Sequence, residues 1–263
     1  MQLKAYKKEF EHSYSFGVFP TVEMLEHRAG QVIEVLASSR GSKNEGVRKI
    51  AELCEGKGIR FEVNDRAVER LSPKENVYAV GVFRKYREEL AEGQDHVALV
   101  NPADMGNLGT ILRTMVGFGV LDLALVRPAA DIFDPRVIRA SMGAIFRVRF
   151  RYFDSFEAYS GAFGRNLYPF MTDGKVALGE MPFERPYTLV FGNESAGLGE
   201  EYREIGTSVS IRHSSEIDSL NLPVAVAIGL YEATKGYFSR IRQDARADSR
   251  KRQDAKTPRR QDY

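Results

Sequence analysis

Two hydrophobic periodicities alternate along this chain. Residues 21–30, TVEMLEHRAG, put Val22, Leu25 and Ala29 at helical spacing, and the QVIEVLASS that follows predicts a short strand. Residues 46–58, GVRKIAELCEGKG, repeat the helical pattern, with Val47, Ile50 and Leu53-Cys54 on one face and glycines at the end. IRFEVND then predicts a strand, RAVERLS a short helix and NVYAVGVFRKY another strand. Together these form a small α/β unit over residues 1–92. Residues 87–95, REELAEGQD, are charged, contain a glycine and lack β-branched residues, which places the domain junction there.

The alternation restarts at His96 and runs through a second unit, residues 93–238. HVALVNP predicts a strand, NLGTILRTMVGFG a helix, LDLALVRP a strand, DPRVIRASMGAIF a helix, RVRFRYF a strand and SFEAYSGAF a helix. LYPFMT, YTLVFGN and VSIRH follow as strands, and a last helix is strongly apolar. Strand–helix repetition of this kind predicts an α/β fold whose mostly parallel sheet is covered on both faces. Ligands of open sheets sit at the carboxyl ends of the strands, which directs attention to the segments after HVALV, YTLVF and VSI.

Composition narrows the chemistry more than the fold. The 263 residues are 43% hydrophobic and 28% charged, as in globular proteins, and the net charge of +2 argues for no partner by itself. Cys54 is the only cysteine, so an intramolecular disulfide and a cysteine-based metal cluster are excluded. His12, His27, His96 and His213 are scattered without ligand spacing. The N-terminus, MQLKAYKKEF, has no signal-peptide core, and no apolar run approaches the ~20 residues of a membrane span. The expectation is a cytoplasmic, metal-free protein without a membrane segment. Residues 240–263 hold nine Lys/Arg against four Asp, a net +5. The tail from residue 239 onward is therefore either a solvated, disordered end or a basic arm for a nucleic-acid backbone, and the two are compatible.

Three segments carry candidate chemistry. In residues 101–120, NPADMGNLGTILRTMVGFGV, Asn107 is placed to cap a helix and Arg113 follows six residues later. Both are either structural or convergent on a ligand over the strand ends. In residues 189–202, LVFGNESAGLGEEY, Gly192, Gly197 and Gly199 cluster around Glu194, an acid unsuited to a phosphate cradle but suited to a neutral or cationic ligand. The order G-N-E-S-A-G is neither a P-loop nor a nucleophile elbow. In residues 214–235, SSEIDSLNLPVAVAIGLYEATK, a polar cluster precedes a helix that Ser219 or Asn221 is placed to cap, with Pro223 in its first turn. Val224, Ala225, Val226, Ala227, Ile228, Leu230 and Tyr231 cover every direction around its axis. The pattern predicts burial on all sides, against the chain's own sheet and a second subunit.

In this order the three segments resemble the SpoU/TrmH family of RNA ribose 2′-O-methyltransferases, within the SPOUT superfamily. NLGTILRT from Asn107 matches the family's N-x-G-x-x-x-R-T, GNESAGL from Gly192 its G-x-E-x-x-G-L, and the stretch from Ser219 to Ala225 its S-L-N-x-x-x-A. The front unit is similar to the L30e-like substrate-binding domain often fused to this enzyme. The resemblance implies a parallel-sheet domain closed by a deep trefoil knot, S-adenosylmethionine bent inside it, a homodimer, and RNA as substrate, ribosomal favoured over transfer. It implies donor contacts at Phe191, Gly192, Asn193, Gly197, Ile211 and Leu220. It implies catalytic roles for Asn107, Arg113, Glu194, Ser219 and Asn221, with Arg113 at the ribose hydroxyl and no metal. Where many relatives have I-P-M this chain has Ile211-Arg212-His213, so Arg212 or His213 either touches RNA or is structural. The competing expectation is an RNA-binding protein that kept the fold and lost catalysis.

Overall fold

The computed structural model describes residues 3–72 and 76–236, so the basic tail lies outside the described residues. Two sheets organise the chain. The first has strand order β1-β4-β2-β3, built from β1 (His12–Phe16), β2 (Val32–Ala37), β3 (Arg60–Val63) and β4 (Ala79–Arg84). Helices α1 (Val18–His27), α2 (Glu45–Lys57) and α3 (Asp65–Leu71) connect them. The start of α2 is fixed by Asn44, which accepts from the amides of Gly46 and Val47, and its end by Gly58 in the left-handed region.

The second sheet has β5 (His96–Val100), β6 (Asp122–Val126), β7 (Arg149–Phe153), β8 (Asn166–Pro169) and β10 (Tyr187–Phe191) in the order β7-β6-β5-β10-β8. Every pairing in it is parallel. Helices α4 (Met105–Gly117), α5 (Pro135–Ala140) and α6 (Phe156–Ala162) follow its first three strands. All residues of β5, β6 and β10 are buried, as their unbroken apolar runs require of strands covered on both faces. A short parallel pair, β9 (Val176–Ala177) with β11 (Val209–Ser210), lies beyond β8, and helix α7 occupies residues 222–236.

Three details go beyond or revise the sequence pattern. DPRVIRASMGAIF is not one helix: α5 stops at Ala140, Met142 and Gly143 take positive φ, and a 3-10 turn follows at Ala144–Arg147. Gly143 lets the chain pass close to α1 after the break, since a Cβ there would stand 2.8 Å from the Pro20 Cα. Strand β1 has no sequence signature because its inward residues are serines. Ser13 donates to the Phe133 carbonyl at 2.5 Å, and Ser15 shares a 3.0 Å hydrogen bond with Thr21. Helix α7 is not buried on all sides within the chain: Val224 is 46% and Tyr231 59% exposed.

The two sheets share one core. Met24, Leu25, Val35 and Phe83 of the front unit pack in the same cluster as Leu108, Ile111, Ile138 and Phe146 of the second. A smaller cluster around Tyr14, Leu36, Val68 and Val82 closes the far face of the front sheet. The charged segment between the units is pinned down. The Ala91 amide donates to Asp122 at 2.9 Å, and Arg165 donates to the carbonyls of Gln94 and Glu92 at 2.6 and 2.8 Å.

Candidate active site

The site grows from loops at the carboxyl ends of β5, β8, β10 and β11. At the end of β10, Gly192 has no room for a side chain, since a Cβ there would stand 2.1 Å from the backbone of Gly197. The loop folds back on itself, with the Asn193 amide donating to the Gly197 carbonyl at 3.2 Å and the Gly197 amide to the Asn193 carbonyl at 2.9 Å. Gly197 holds φ +67, which glycine adopts without steric cost. The Asn193 side-chain oxygen accepts from the amides of Ser195 and Ala196 at 2.9 and 3.2 Å, and its amide group donates to the Asn101 carbonyl at 2.8 Å.

Glu194 points to the neighbouring strand end. Its carboxylate accepts from the amides of Ala103 and Asp104 at 3.2 and 3.1 Å and from the Asn107 side-chain amide at 3.4 Å. The expectation that Asn107 caps α4 is corrected. Asp104 is the cap, accepting from the Asn107 backbone amide at 2.7 Å, so the helix starts three residues earlier than NLGTILRT suggests. Asn107 sits inside the first turn, and its side chain is free to reach Glu194.

The third wall comes from residues 211–220 and the start of α7. A His213 ring nitrogen lies 2.8 Å from the Ile211 carbonyl, and Arg212 pairs with Glu180 at 3.2 Å. Asn221 precedes the first turn of α7, its carbonyl accepting from the amides of Val224 and Ala225 at 2.9 and 3.0 Å. The floor is aromatic. Phe170 and Phe191 stack with ring centroids 4.4 Å apart, and Gly229 lets α7 lie directly on both rings.

These walls enclose a cavity of about 410 Å³, a volume usual for small-molecule sites. Phe191, Gly192, Asn193, Gly197, Ile211 and Leu220 all line it, together with Glu194 and Ser219. Asn107 joins through its hydrogen bond to Glu194. Arg113 and Asn221 do not line it; Arg113 stands exposed on α4, with no ion pair among the described residues. Four carboxylates, Asp173, Glu194, Glu200 and Asp218, edge the cavity. Arg203 bridges Asp173 and Glu200 and holds the Asp173 carboxyl below the usual carboxylate range through its hydrogen bond.

Residues 94–231 match the model of the SpoU rRNA Methylase family. The chain belongs to the SpoU rRNA methylase family. The chain is 30% identical over 201 residues to a 23S rRNA (adenosine(1067)-2′-O)-methyltransferase of Streptomyces laurentii, covering 72% of this chain and 74% of that one. It is 34% identical over 136 residues to an uncharacterized tRNA/rRNA methyltransferase of Synechocystis, a match covering 50% of each chain, so it spans about half the length of that relative. Its fold matches the crystal structure of an AdoMet-bound rRNA methyltransferase from Sinorhizobium meliloti with a TM-score of 0.73 and 27% identity, over 86% of this chain and 88% of the other.

One wall of the cavity, Phe170-Met171-Thr172-Asp173 after β8, was not among the sequence-predicted site segments. The signal was present in the strand-end rule, which applies to β8 as much as to β5 and β10. Metal-type donors gather at Glu23, Glu26 and His27, outside the cavity lining, where Glu23 pairs with Arg147 and Glu26 with Lys49.

Proposed function

We propose that this SpoU methylase transfers a methyl group from S-adenosylmethionine to a ribose 2′-hydroxyl of RNA, with ribosomal RNA favoured over transfer RNA. The observation that carries the reading is the cavity itself. One closed glycine loop, an apolar floor and a carboxylate rim meet where the family motifs stand, and the six positions expected to contact the donor all line it. The closed backbone of Gly192–Leu198 suits an adenine edge, and the rim carboxylates suit a ligand that carries a sulfonium and an ammonium. The AdoMet-bound relative and the ribosomal-RNA relative point the same way.

When bound, S-adenosylmethionine supplies an electrophilic methyl on an excellent leaving group. Catalysis by the chain is then largely positioning. Glu194 fixes the β5–α4 loop and, with it, Asn107. Ser219 and Asn221 flank the mouth of the cavity at the foot of α7. A guanidinium keeps its proton and is a poor base, so Arg113 acts as a fixed cation. It binds the phosphate beside the reacting ribose and lowers the pKa of the 2′-hydroxyl, whose proton leaves to solvent water.

The finer architecture follows from the same reading. The chain over 166–236 threads a deep trefoil knot. The insertion of β10 between β5 and β8, and the return of α7 across Phe170 and Phe191, support it. Residues 1–92 act as an L30e-like RNA-recognition domain, residues 93–238 as the methyltransferase domain, and two chains pair through the open face of α7. Labelled methyl transferred to protein-free ribosomal RNA, in a linkage resistant to alkali, is the expected result. Binding of RNA with no transfer would favour a non-catalytic RNA-binding protein.

A further inference from the structure

Phe19, in the first turn of α1, is 68% exposed, the most exposed of the large hydrophobic side chains among the described residues. It does not stand alone. The Pro20 Cα and the Glu23 side chain press on Gly143, which would bring any Cβ there to 2.8 and 2.9 Å. Phe19 and Met142 are therefore the residues immediately before two segments in mutual contact. Met142 is 38% exposed and holds φ +53. The other non-glycine residues described with positive φ are asparagines, which tolerate it; a methionine held there is strained.

The same segment is locked to the helix that bears Asn107 and Arg113. A Cβ on Gly109 of α4 would meet Ala140 Cβ at 2.4 Å and the Ser141 nitrogen at 2.9 Å, so α4 and the end of α5 touch backbone to backbone. Beyond it, the 3-10 turn at Ala144–Arg147 packs on both α4 and α1. Arg147 clamps that turn to α1 through Glu23. The Met142 amide donates to the Arg139 carbonyl at 3.0 Å, which puts Arg139 one turn away. Arg139 and Arg113 are exposed and make no ion pair among the described residues, whereas their neighbours Arg136 and Arg147 are paired with Asp134 and Glu23.

We infer that Phe19 and Met142, flanked by Arg139 and Arg113, form a platform on which an unpaired base of the RNA stacks beside the nucleotide to be methylated. The inference rests on the methyl-transfer reading for its substrate class. Its geometry is that of single-strand recognition: an aromatic face for a base, a polarisable thioether beside it, and guanidiniums unopposed by carboxylates for the phosphates. A duplex would bury its base faces and gain nothing from Phe19, so the occupant is a loop, bulge or flipped nucleotide. Because the platform straddles the two sheets, it would set the distance between the bound base and the cavity.

The chain has no tryptophan, so Phe19→Trp makes a single fluorescent reporter at the platform. With protein-free ribosomal RNA from cells lacking the enzyme, its emission is expected to be quenched saturably, and a fully paired RNA duplex is expected to leave it unquenched. Phe19→Ala should lower kcat/KM for methyl transfer by roughly five- to a hundredfold while donor affinity stays unchanged, and Phe19→Tyr should restore most of it. The residue is exposed, so thermal melting should be unaltered. Unquenched emission with ribosomal RNA, or wild-type kcat/KM in Phe19→Ala, overturns the platform. A wild-type enzyme that binds RNA without methylating it would overturn the methyl-transfer reading instead, and the quenching result still decides the platform.

Discussion

Asn107 donates its side-chain amide to Glu194 at 3.4 Å, across 87 residues of sequence. The same carboxylate holds the amides of Ala103 and Asp104, so one acid of the glycine loop fixes the strand end and the helix start that carry the first motif. Glu194→Ala leaves those two amides without their acceptor and frees Asn107. Methyl transfer should fall by at least tenfold, with a stability loss of about 1–2 kcal/mol measured by denaturant unfolding. Unchanged activity would show that the loop is held by other means.

Helix α7 leaves Val224 and Tyr231, seven positions apart, exposed, with Ile228 between them half-buried on the same side. An apolar stripe of this kind is costly in water and marks an interface. Val224→Glu should shift the protein from dimer to monomer in sedimentation at micromolar concentration. A wild-type chain that sediments as a monomer would contradict the pairing.

His96 lies fully buried at the start of β5, with its ring nitrogens 3.0 Å from the Tyr159 hydroxyl and 2.9 Å from the Ala91 carbonyl. Burial pushes its pKa down to about 4 from an ordinary 6.5. Between those values the unfolded chain binds a proton that the folded chain refuses, so stability rises with pH across the window. Acidification from neutrality towards pH 4 should cost up to about 3 kcal/mol from this group alone. His96→Gln should flatten the slope of denaturation midpoint against pH between 4.5 and 6.5; an unchanged slope would assign the acid sensitivity to other groups.

The repeating strands and helices were legible because buried parallel strands are written as unbroken apolar runs: HVALV, DLALV and YTLVF leave little choice. Strand β1 was not, because Ser13 and Ser15 face inward and are satisfied by Phe133 and Thr21, partners far along the chain or across a turn. The break after Ala140 was hidden for a related reason: the segment it leads into packs on α1 through Gly143 and Pro20, which are more than a hundred residues apart. At the site, the glycine loop was readable from composition, since Gly192 and Gly197 do what only glycine does. The cap was misplaced because Asp104 and Asn107 are both good capping residues, and the choice between them depends on Glu194 claiming the second. The exposed platform at Phe19 lies on no motif and becomes visible only when the two sheets are placed side by side.

The central claim is that the donor cavity and Arg113 do separate work, and one comparison tests it. Binding of S-adenosylmethionine and transfer of its labelled methyl to ribosomal RNA are measured side by side in the wild type and in Arg113→Ala. Arg113 lies outside the cavity lining, so the variant should bind the donor with affinity within about twofold of wild type and transfer no measurable methyl. Parallel loss of donor binding and transfer would place Arg113 in the donor site, and undiminished transfer would remove it from the reaction; either result contradicts the account.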